Sequence, residues 1–342
     1  MDRWYRLPVP GTSTAAPIRL AFLGCGFITG VHSKHLKALG EQVLCRYASR
    51  DRGKADEFCR RYGGDGAYGD YAGALSDPDV DAVVIAVPPS RHLDLTLEAL
   101  RAGKHVLVEK PAFLSSSDYE TVRAARDAVG AVVLVGENDH YKPLAVTLRR
   151  LLATDTIGDL VLASFTTVAR RPKAADDWRN DEVIAGGDAF FEEGIHWLHL
   201  AGSLGPRITR IDGYRPAPAR DPGPDEDRRV RSMLVAFEYD TGAVGALYYS
   251  REIPSLLRGV RASKLYGRKG VITFESNGAG VLVRAAGRLP RVLLPGARDV
   301  RGYEAMYRDF VSAVRTGGTP EMSLETAMAD HRLMEQVYRE HD

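Results

Sequence analysis

Three groups of residues in this chain have types and spacing that could do chemistry: a glycine turn at 24–30, a lysine at 110 that follows an apolar strand, and a histidine at 196 downstream of paired glycines. The turn reads Gly24-Cys-Gly26-Phe27-Ile28-Thr29-Gly30, directly after the apolar run 18–23 and at the start of a helical stretch. In such a turn the first glycine supplies the bend and the second lets backbone approach a pyrophosphate. The helix N-terminus then offers unpaired N–H groups to the anion. Gly24, Gly26, Phe27 and Ile28 are the expected dinucleotide contacts, although Thr29 takes the third glycine position and Gly30 comes one residue late.

The second strand ends in Ala48-Ser49-Arg50-Asp51, where the adenosine ribose is expected. A carboxylate there would accept the 2′-hydroxyl and repel a 2′-phosphate, whereas a hydroxyl and a guanidinium fork suit the phosphate. Ser49 and Arg50 therefore favour NADP(H) over NAD(H). The alternative is a solvated Arg50 with Asp51 on the ribose. Lys110 stands just beyond the strand 105–108 and points into the crevice where doubly wound sheets bind ligands. Pro88, His92 and Glu109 border the same crevice, and His92 is as readily a helix cap as a cofactor contact.

Apolar strands at 18–23, 42–48, 81–87, 105–108 and 131–135 alternate with helical stretches, which predicts a doubly wound parallel sheet. Pro88-Pro89 stops the third strand, Ser90 is the expected cap of the next helix, and Ser117 with Glu120 fits a capping box. After Gly136 the rhythm changes. One helix carries Leu144, Leu148, Leu151 and Leu152 on one face. Strands then follow one another at 160–168, 207–215, 230–239, 243–251, 260–266 and 271–275, which predicts an antiparallel sheet with its own core. Residues 216–226 read as an exposed loop, and helices at 303–316 and 323–339 finish the chain.

The expected organisation is an arm over 1–16, a dinucleotide-binding Rossmann domain over 17–137, and an α+β domain with a large, mainly antiparallel open-faced sheet over 138–320. A C-terminal helix at 321–342 would pack back on the first domain. Forty-six Lys and Arg against 45 Asp and Glu leave no global field for nucleic acid. No apolar run approaches the ~20 residues of a membrane helix, and residues 1–16 lack the apolar stretch of a secretory signal. Cys25, Cys45 and Cys59 are odd in number and without metal-ligand spacing, which suits free thiols in the cytoplasm. No metal site is implied.

The motifs taken together resemble the glucose–fructose oxidoreductase, inositol dehydrogenase and MocA (Gfo/Idh/MocA) family. The residues that carry the resemblance are the glycine turn with His32, Ala102-Gly-Lys-His-Val-Leu-Val-Glu109-Lys110-Pro111, Asn138 to Pro143, Ile157-Gly-Asp159, and Gly186-Gly-Asp-Ala-Phe-Phe-Glu192-Glu-Gly194-Ile-His196. The resemblance covers nearly the whole chain. It implies an NAD(P)-dependent dehydrogenase or reductase acting on a sugar, nucleotide-sugar or cyclitol carbinol. It also implies a homodimer or homotetramer built on the open sheet face.

In the roles so implied, Lys110 binds the substrate oxygen and His196 is the general acid–base. An acidic residue one helical turn before the histidine orients it or contacts the sugar. That position is Glu192 here, where the family usually has Asp. The chemistry is coherent, because hydride transfer from a carbinol moves one proton near neutral pH, which imidazole can do, and an ammonium stabilises the developing alkoxide. Tyr141, Trp178 and Arg179 are candidates to line the substrate pocket, with core packing or loop anchoring as the alternatives. The rival readings are a redox-neutral glycosidase or lyase with tightly held NAD, a non-catalytic dinucleotide-binding regulator, and an imine reductase.

Overall fold

The computed structural model describes residues 16–171, 177–217, 231–254, 262–296 and 298–339. The expected arm and most of the 216–226 loop lie outside these residues. The first unit runs β1 (Ile18–Leu23), α1 (Phe27–Leu36), β2 (Val43–Ala48), α2 (Arg52–Tyr62), β3 (Gly66–Tyr68), α3 (Tyr71–Ser76), β4 (Ala82–Ile85), α4 (His92–Arg101), β5 (His105–Glu109), α5 (Ser116–Val129) and β6 (Val133–Gly136). The six strands are parallel in the order β3-β2-β1-β4-β5-β6. Burial on both faces explains why they read as unbroken apolar runs.

Register puts the functional turns on one edge. Leu23 pairs with both Ala48 and Ile85, and Glu109 pairs with Gly136. Gly24, Ser49, Lys110 and Glu137, the residues that follow those ends or lie one place beyond, therefore leave the sheet on the same side. Two caps differ from expectation. Helix α4 starts at His92 after a single 3-10 turn and has no side-chain cap, so Ser90 does not serve. The capping box of α5 is Ser115 with Asp118, because Ser115 takes the extended backbone that a cap requires. The short β3 and α3 carry too few residues to show a period.

The second unit runs α6 (Pro143–Ala153), β7 (Leu160–Val168), α7 (Glu182–Ala185), α8 (Ala189–Gly202), β8 (Ile208–Tyr214), β9 (Ser232–Tyr239), β10 (Val244–Ser250), β11 (Ala262–Gly267), β12 (Gly270–Glu275), β13 (Val281–Ala285) and β14 (Arg291–Leu293). Its eight strands lie in the order β14-β13-β12-β11-β7-β10-β9-β8. All neighbours are antiparallel except β7 and β10. One face of this sheet is buried with Leu148 of α6 and Phe190 and Leu198 of α8 in a second core.

The last two helices bind the halves together. Helix α9 (Tyr303–Thr316) was expected with the second unit, yet Met306, Tyr307 and Phe310 belong to the first core. Helix α10 (Leu324–Val337) places Leu324 and Met328 in the first core and Met334 and Val337 in the second. Among the described residues, no helix is long and apolar enough to cross a membrane.

Candidate active site

The glycine turn has the geometry its sequence implies, with one refinement. Gly24 has φ of +111°, and a Cβ there would stand 2.5 Å from the carbonyl oxygen of Ala86, so only glycine fits between β1 and β4. A Cβ on Gly26 would meet nothing within 4 Å, leaving room over the N-terminus of α1, which has no side-chain cap. Thr29 is buried, and its hydroxyl donates to the Gly24 carbonyl at 2.7 Å, fastening the turn. Gly30 does the packing usually given to the third glycine, since a Cβ there would lie 2.7 Å from the Tyr62 hydroxyl on α2. A cradle of open space and unpaired N–H groups fits a pyrophosphate. Phe27 is exposed beside it and Ile28 is half-buried.

At the end of β2, Ser49 is buried and its hydroxyl accepts from the Asp51 N–H at 3.2 Å. The Asp51 carboxylate caps α2 by accepting from Lys54 N–H. Arg50 is exposed and makes no hydrogen bond or ion pair among the described residues. Pro88 is half-buried at the crevice edge.

His92 and Glu109 differ from the expectation. His92 is buried, with Nε2 at 2.8 Å from the Val87 carbonyl and Nδ1 at 3.0 Å from that of Pro111. Its ring staples the chain after β4 to the chain after β5 and has no nitrogen left for a cofactor. Burial lowers its pKa, against the upward pull of the Val87 and Pro111 carbonyls. Glu109 is buried with Oε1 at 2.7 Å from His32 Nε2, and His32 Nδ1 meets the Tyr307 hydroxyl. The glutamate thus ties β5 to α1 and α9.

Lys110 is half-buried, and its ammonium donates to the backbone carbonyl of Glu192 at 2.9 Å. The loop after β5 meets α8 through the paired glycines. Gly186 has φ of +79°, and a Cβ there would overlap Leu114 at 2.1 Å. A Cβ on Gly187 would lie 2.7 Å from Phe191. These close approaches seat the helix bearing His196 against the segment bearing Lys110.

His196 is oriented by a residue the sequence reading did not single out. Its Nδ1 lies 2.7 Å from Oε1 of Glu137, the residue directly after β6. Glu137 is 2% exposed, and the same oxygen accepts from the Asp139 N–H at 3.0 Å. Burial opposes its ionised form, but the charges of His196, His199 and Lys110 outweigh burial and hold the carboxyl well below the usual range. His196 retains 20% side-chain exposure, and its Nε2 makes no hydrogen bond among the described residues. Fixing Nδ1 on a carboxylate sets the tautomer and aims Nε2 outward, the arrangement a general acid–base needs.

Glu192 does not perform that service. Its carboxylate accepts from Arg179 Nε at 2.9 Å, and the Arg179 guanidinium lies over the Trp178 ring at 4.5 Å. One helical turn before His196 is the correct face, but the longer side chain reaches the 178–180 turn instead. Glu192, Arg179 and Trp178 form one half-buried group beside Lys110. Tyr141 faces the core. It is 7% exposed, donates to Asp309 Oδ2 at 2.7 Å and accepts from the Met322 N–H.

Glu137, Asp139 and His196 bring three possible metal-ligand atoms within 4.8 Å of one another. Two of them already bond each other, and Asp139 also pairs with Lys142 at 2.6 Å.

Residues 18–137 match a family model described as an oxidoreductase family with an NAD-binding Rossmann fold. Residues 145–273 match the GFO/IDH/MocA C-terminal domain. The chain is 28% identical over 241 residues to scyllo-inositol 2-dehydrogenase (NAD(+)) of Bacillus subtilis (strain 168), covering 69% of this chain and 68% of that protein. It is 33% identical over 241 residues to a dTDP-3,4-didehydro-2,6-dideoxy-alpha-D-glucose 3-reductase of Saccharopolyspora spinosa, 68% of each chain. Among solved structures it superposes on aldose-aldose oxidoreductase from Caulobacter crescentus with a TM-score of 0.83 at 20% identity, over 94% of this chain and 97% of that one. Levoglucosan dehydrogenase in complex with NADH and levoglucosan gives a TM-score of 0.80 at 20% identity, over 94% and 97%.

Proposed function

The chain belongs to the Gfo/Idh/MocA family of NAD(P)-dependent oxidoreductases, and from that premise we propose that it moves a hydride between NADP(H) and a carbinol or ketone carbon of a sugar, nucleotide-sugar or cyclitol. Lys110 and His196 handle the oxygen and the proton. The observation that carries this reading is the Glu137–His196 pair, which leaves Nε2 of His196 without a hydrogen bond among the described residues, while the Lys110 ammonium is held on the carbonyl of Glu192, one turn earlier on the same helix. The dinucleotide, when bound, supplies the hydride acceptor or donor.

In the oxidation direction, His196 Nε2 takes the hydroxyl proton as the carbinol carbon loses hydride. Glu137 steadies the imidazolium so formed, and the Lys110 ammonium stabilises negative charge on the oxygen. Reduction runs the same steps backward. The carbonyl of Glu192 holds the Lys110 ammonium in place, and Arg179 with Trp178 offers a charged, aromatic wall suited to hydroxylated rings. Exposed Arg50 beside buried Ser49 supports the phosphorylated cofactor, since Asp51 is engaged in capping α2.

A homo-oligomer fits the second sheet. Leu162 pairs with Val244 and Tyr248 with Leu234 across adjacent strands, so the four share one face, and all four are exposed. An apolar strip of that kind marks an interaction surface.

The test is a spectrophotometric screen of sugars and cyclitols, scyllo-inositol and levoglucosan among them, with NADP+ and NAD+ in turn. Turnover with one class, abolished by Lys110→Ala and by His196→Ala, is the expected result. Near-wild-type turnover in both variants would overturn the mechanism.

A further inference from the structure

Behind His196 the structure holds a line of hydrogen-bonded titratable groups that the reaction as derived does not use. Asp330 Oδ2 on α10 lies 2.8 Å from Nδ1 of His199 on α8. His199 Nε2 lies 2.9 Å from Nδ1 of His140, and His140 Nε2 lies 2.9 Å from Oε2 of Glu321. Asp330 and His199 are buried, whereas Glu321 is exposed. The line therefore runs from the interior to solvent.

Its inner end approaches the catalytic pair. Glu137 Oε2 is buried and without a hydrogen-bond partner among the described residues, although Oε1 has two. Lys110, Glu137, Asp330 and His331 share the lining of a cavity of about 20 Å³ between β6, α8 and α10. One water needs about 10–15 Å³ and two to four polar partners. An orphaned carboxylate oxygen is costly to bury and is the kind of group such a water satisfies.

We infer that Glu137, a cavity water, Asp330, His199, His140 and Glu321 form a proton relay between His196 and solvent. This rests on the assignment of His196 as acid–base. In one state the Asp330 carboxyl donates to His199 Nδ1, His199 Nε2–H donates to His140 Nδ1, and His140 Nε2–H donates to the Glu321 carboxylate. If each proton crosses its own hydrogen bond, Asp330 becomes a carboxylate, both rings become Nδ1–H tautomers, and Glu321 becomes neutral. One proton has moved outward and neither imidazole has been left charged, and each ring must return to its Nε2–H tautomer, by turning or by proton exchange, before the next proton passes.

Asp330 is refilled from His196. The Nδ1 proton crosses Glu137 only in transit, because the charges around that carboxyl disfavour its neutral form; its oxygens exchange by rotation about Cγ–Cδ, and the water carries the proton on to Asp330. Reduction of a ketone draws a proton inward along the same path.

The surroundings differ along the line. Burial raises the Asp330 carboxyl, as does the nearby Glu137 charge, while His199 opposes them. Burial and the Arg149 charge from α6 push His140 down to about 4, against the pull of Glu321. Burial and the Arg149 charge oppose a proton on His199, but Asp330 and Glu137 outweigh them and raise its pKa, so His199 is the ring readier to hold a passing proton.

The test uses the full chain with histidine labelled by 15N, whose shifts report which ring nitrogen carries the proton. Asp330→Asn should change the His140 pattern although the two residues do not touch, and Glu137→Gln should change that of His199. His140→Gln, which keeps hydrogen bonding but cannot relay, should slow proton release to an indicator dye about tenfold in dilute buffer. Added imidazole should restore it while hydride transfer in the first turnover is unchanged. Unmoved His140 and His199 signals, or release that keeps pace in His140→Gln, would overturn the relay. Loss of the His196 assignment would show separately, as undiminished turnover in His196→Ala.

Discussion

Glu137 and His196, 59 positions apart, meet at 2.7 Å across the junction of the two sheets, while Glu192, four positions from the histidine, turns to Arg179. Chain neighbours were the natural place to seek the orienting carboxylate, yet the fold supplies it from the end of a strand. The consequence is a division of labour between the two glutamates. Glu137→Gln removes the charge that steadies imidazolium and should lower kcat about 100-fold with little change in KM. Glu192→Gln breaks the ion pair with Arg179, which keeps Asp177, and should act mainly on KM. Steady-state kinetics of both variants on one polyol separate the roles. Equal kcat losses would contradict the assignment.

The edge of the first sheet was legible because each residue there answers to one local rule. Gly24 fits a bend, Lys110 follows an apolar strand, and Ser49 stands at a strand end. Glu137 obeyed the same rule, a carboxylate immediately after a buried parallel strand on the edge that carries Lys110. That signal could have found it. The misplacements of His92, Tyr141 and Glu192 share another cause. Each was judged by position along one element, and each side chain is held by a second element distant in sequence. No period in the chain announces that Tyr141 will meet Asp309 or that His92 will meet the Pro111 carbonyl.

Arg50 is the exposed cation of the β2 turn, so the proposed preference for the phosphorylated cofactor should depend on it. Arg50→Ala should weaken NADPH binding about tenfold and leave NADH binding almost unchanged, as expected for one charged hydrogen bond in partial contact with water. Fluorescence titration of each reduced cofactor reads this directly. Wild-type protein that binds NADH at least as tightly as NADPH would refute the preference.

Gly186 joins the segment bearing Lys110 to the one bearing His196, and its φ of +79° strains any other residue, while the exposed Leu114 side chain it would meet can move aside. Gly186→Ala should cost about 1–3 kcal/mol of stability from positive φ alone. Displacement of α8 from the Lys110 loop should also lower kcat at temperatures well below unfolding. Thermal melts and kinetics on the same preparation distinguish the two effects. A destabilised variant with wild-type kcat would show that the glycine serves packing only.

Acid should destabilise the protein through the histidines buried in neutral form. His140 has its pKa lowered from 6.5 to about 4, so the unfolded chain binds its proton first as pH falls. Its contribution is complete above about 6.5 and is lost between that value and about 4, a change of up to about 3 kcal/mol. Burial lowers His92 and His105 in the same sense. Denaturant unfolding at stepped pH should show this decline, and His140→Gln should make it shallower. An identical slope in the variant would remove His140 from the account.

In the proposed homo-oligomer the exposed face of the second sheet is the expected contact. Leu162, Val244, Leu234 and Tyr248 stand in two directly opposed pairs on β7, β10 and β9, so one charge placed among them faces apolar neighbours on either side. Leu162→Asp with Tyr248→Lys should disperse an oligomer built on this face without disturbing the core beneath, because side chains alternate across a strand. Sedimentation should then give a single-chain mass for the double variant and a multiple of it for the wild type. A wild type that sediments as one chain at micromolar concentration would leave that apolar strip solvated and the oligomer disproved.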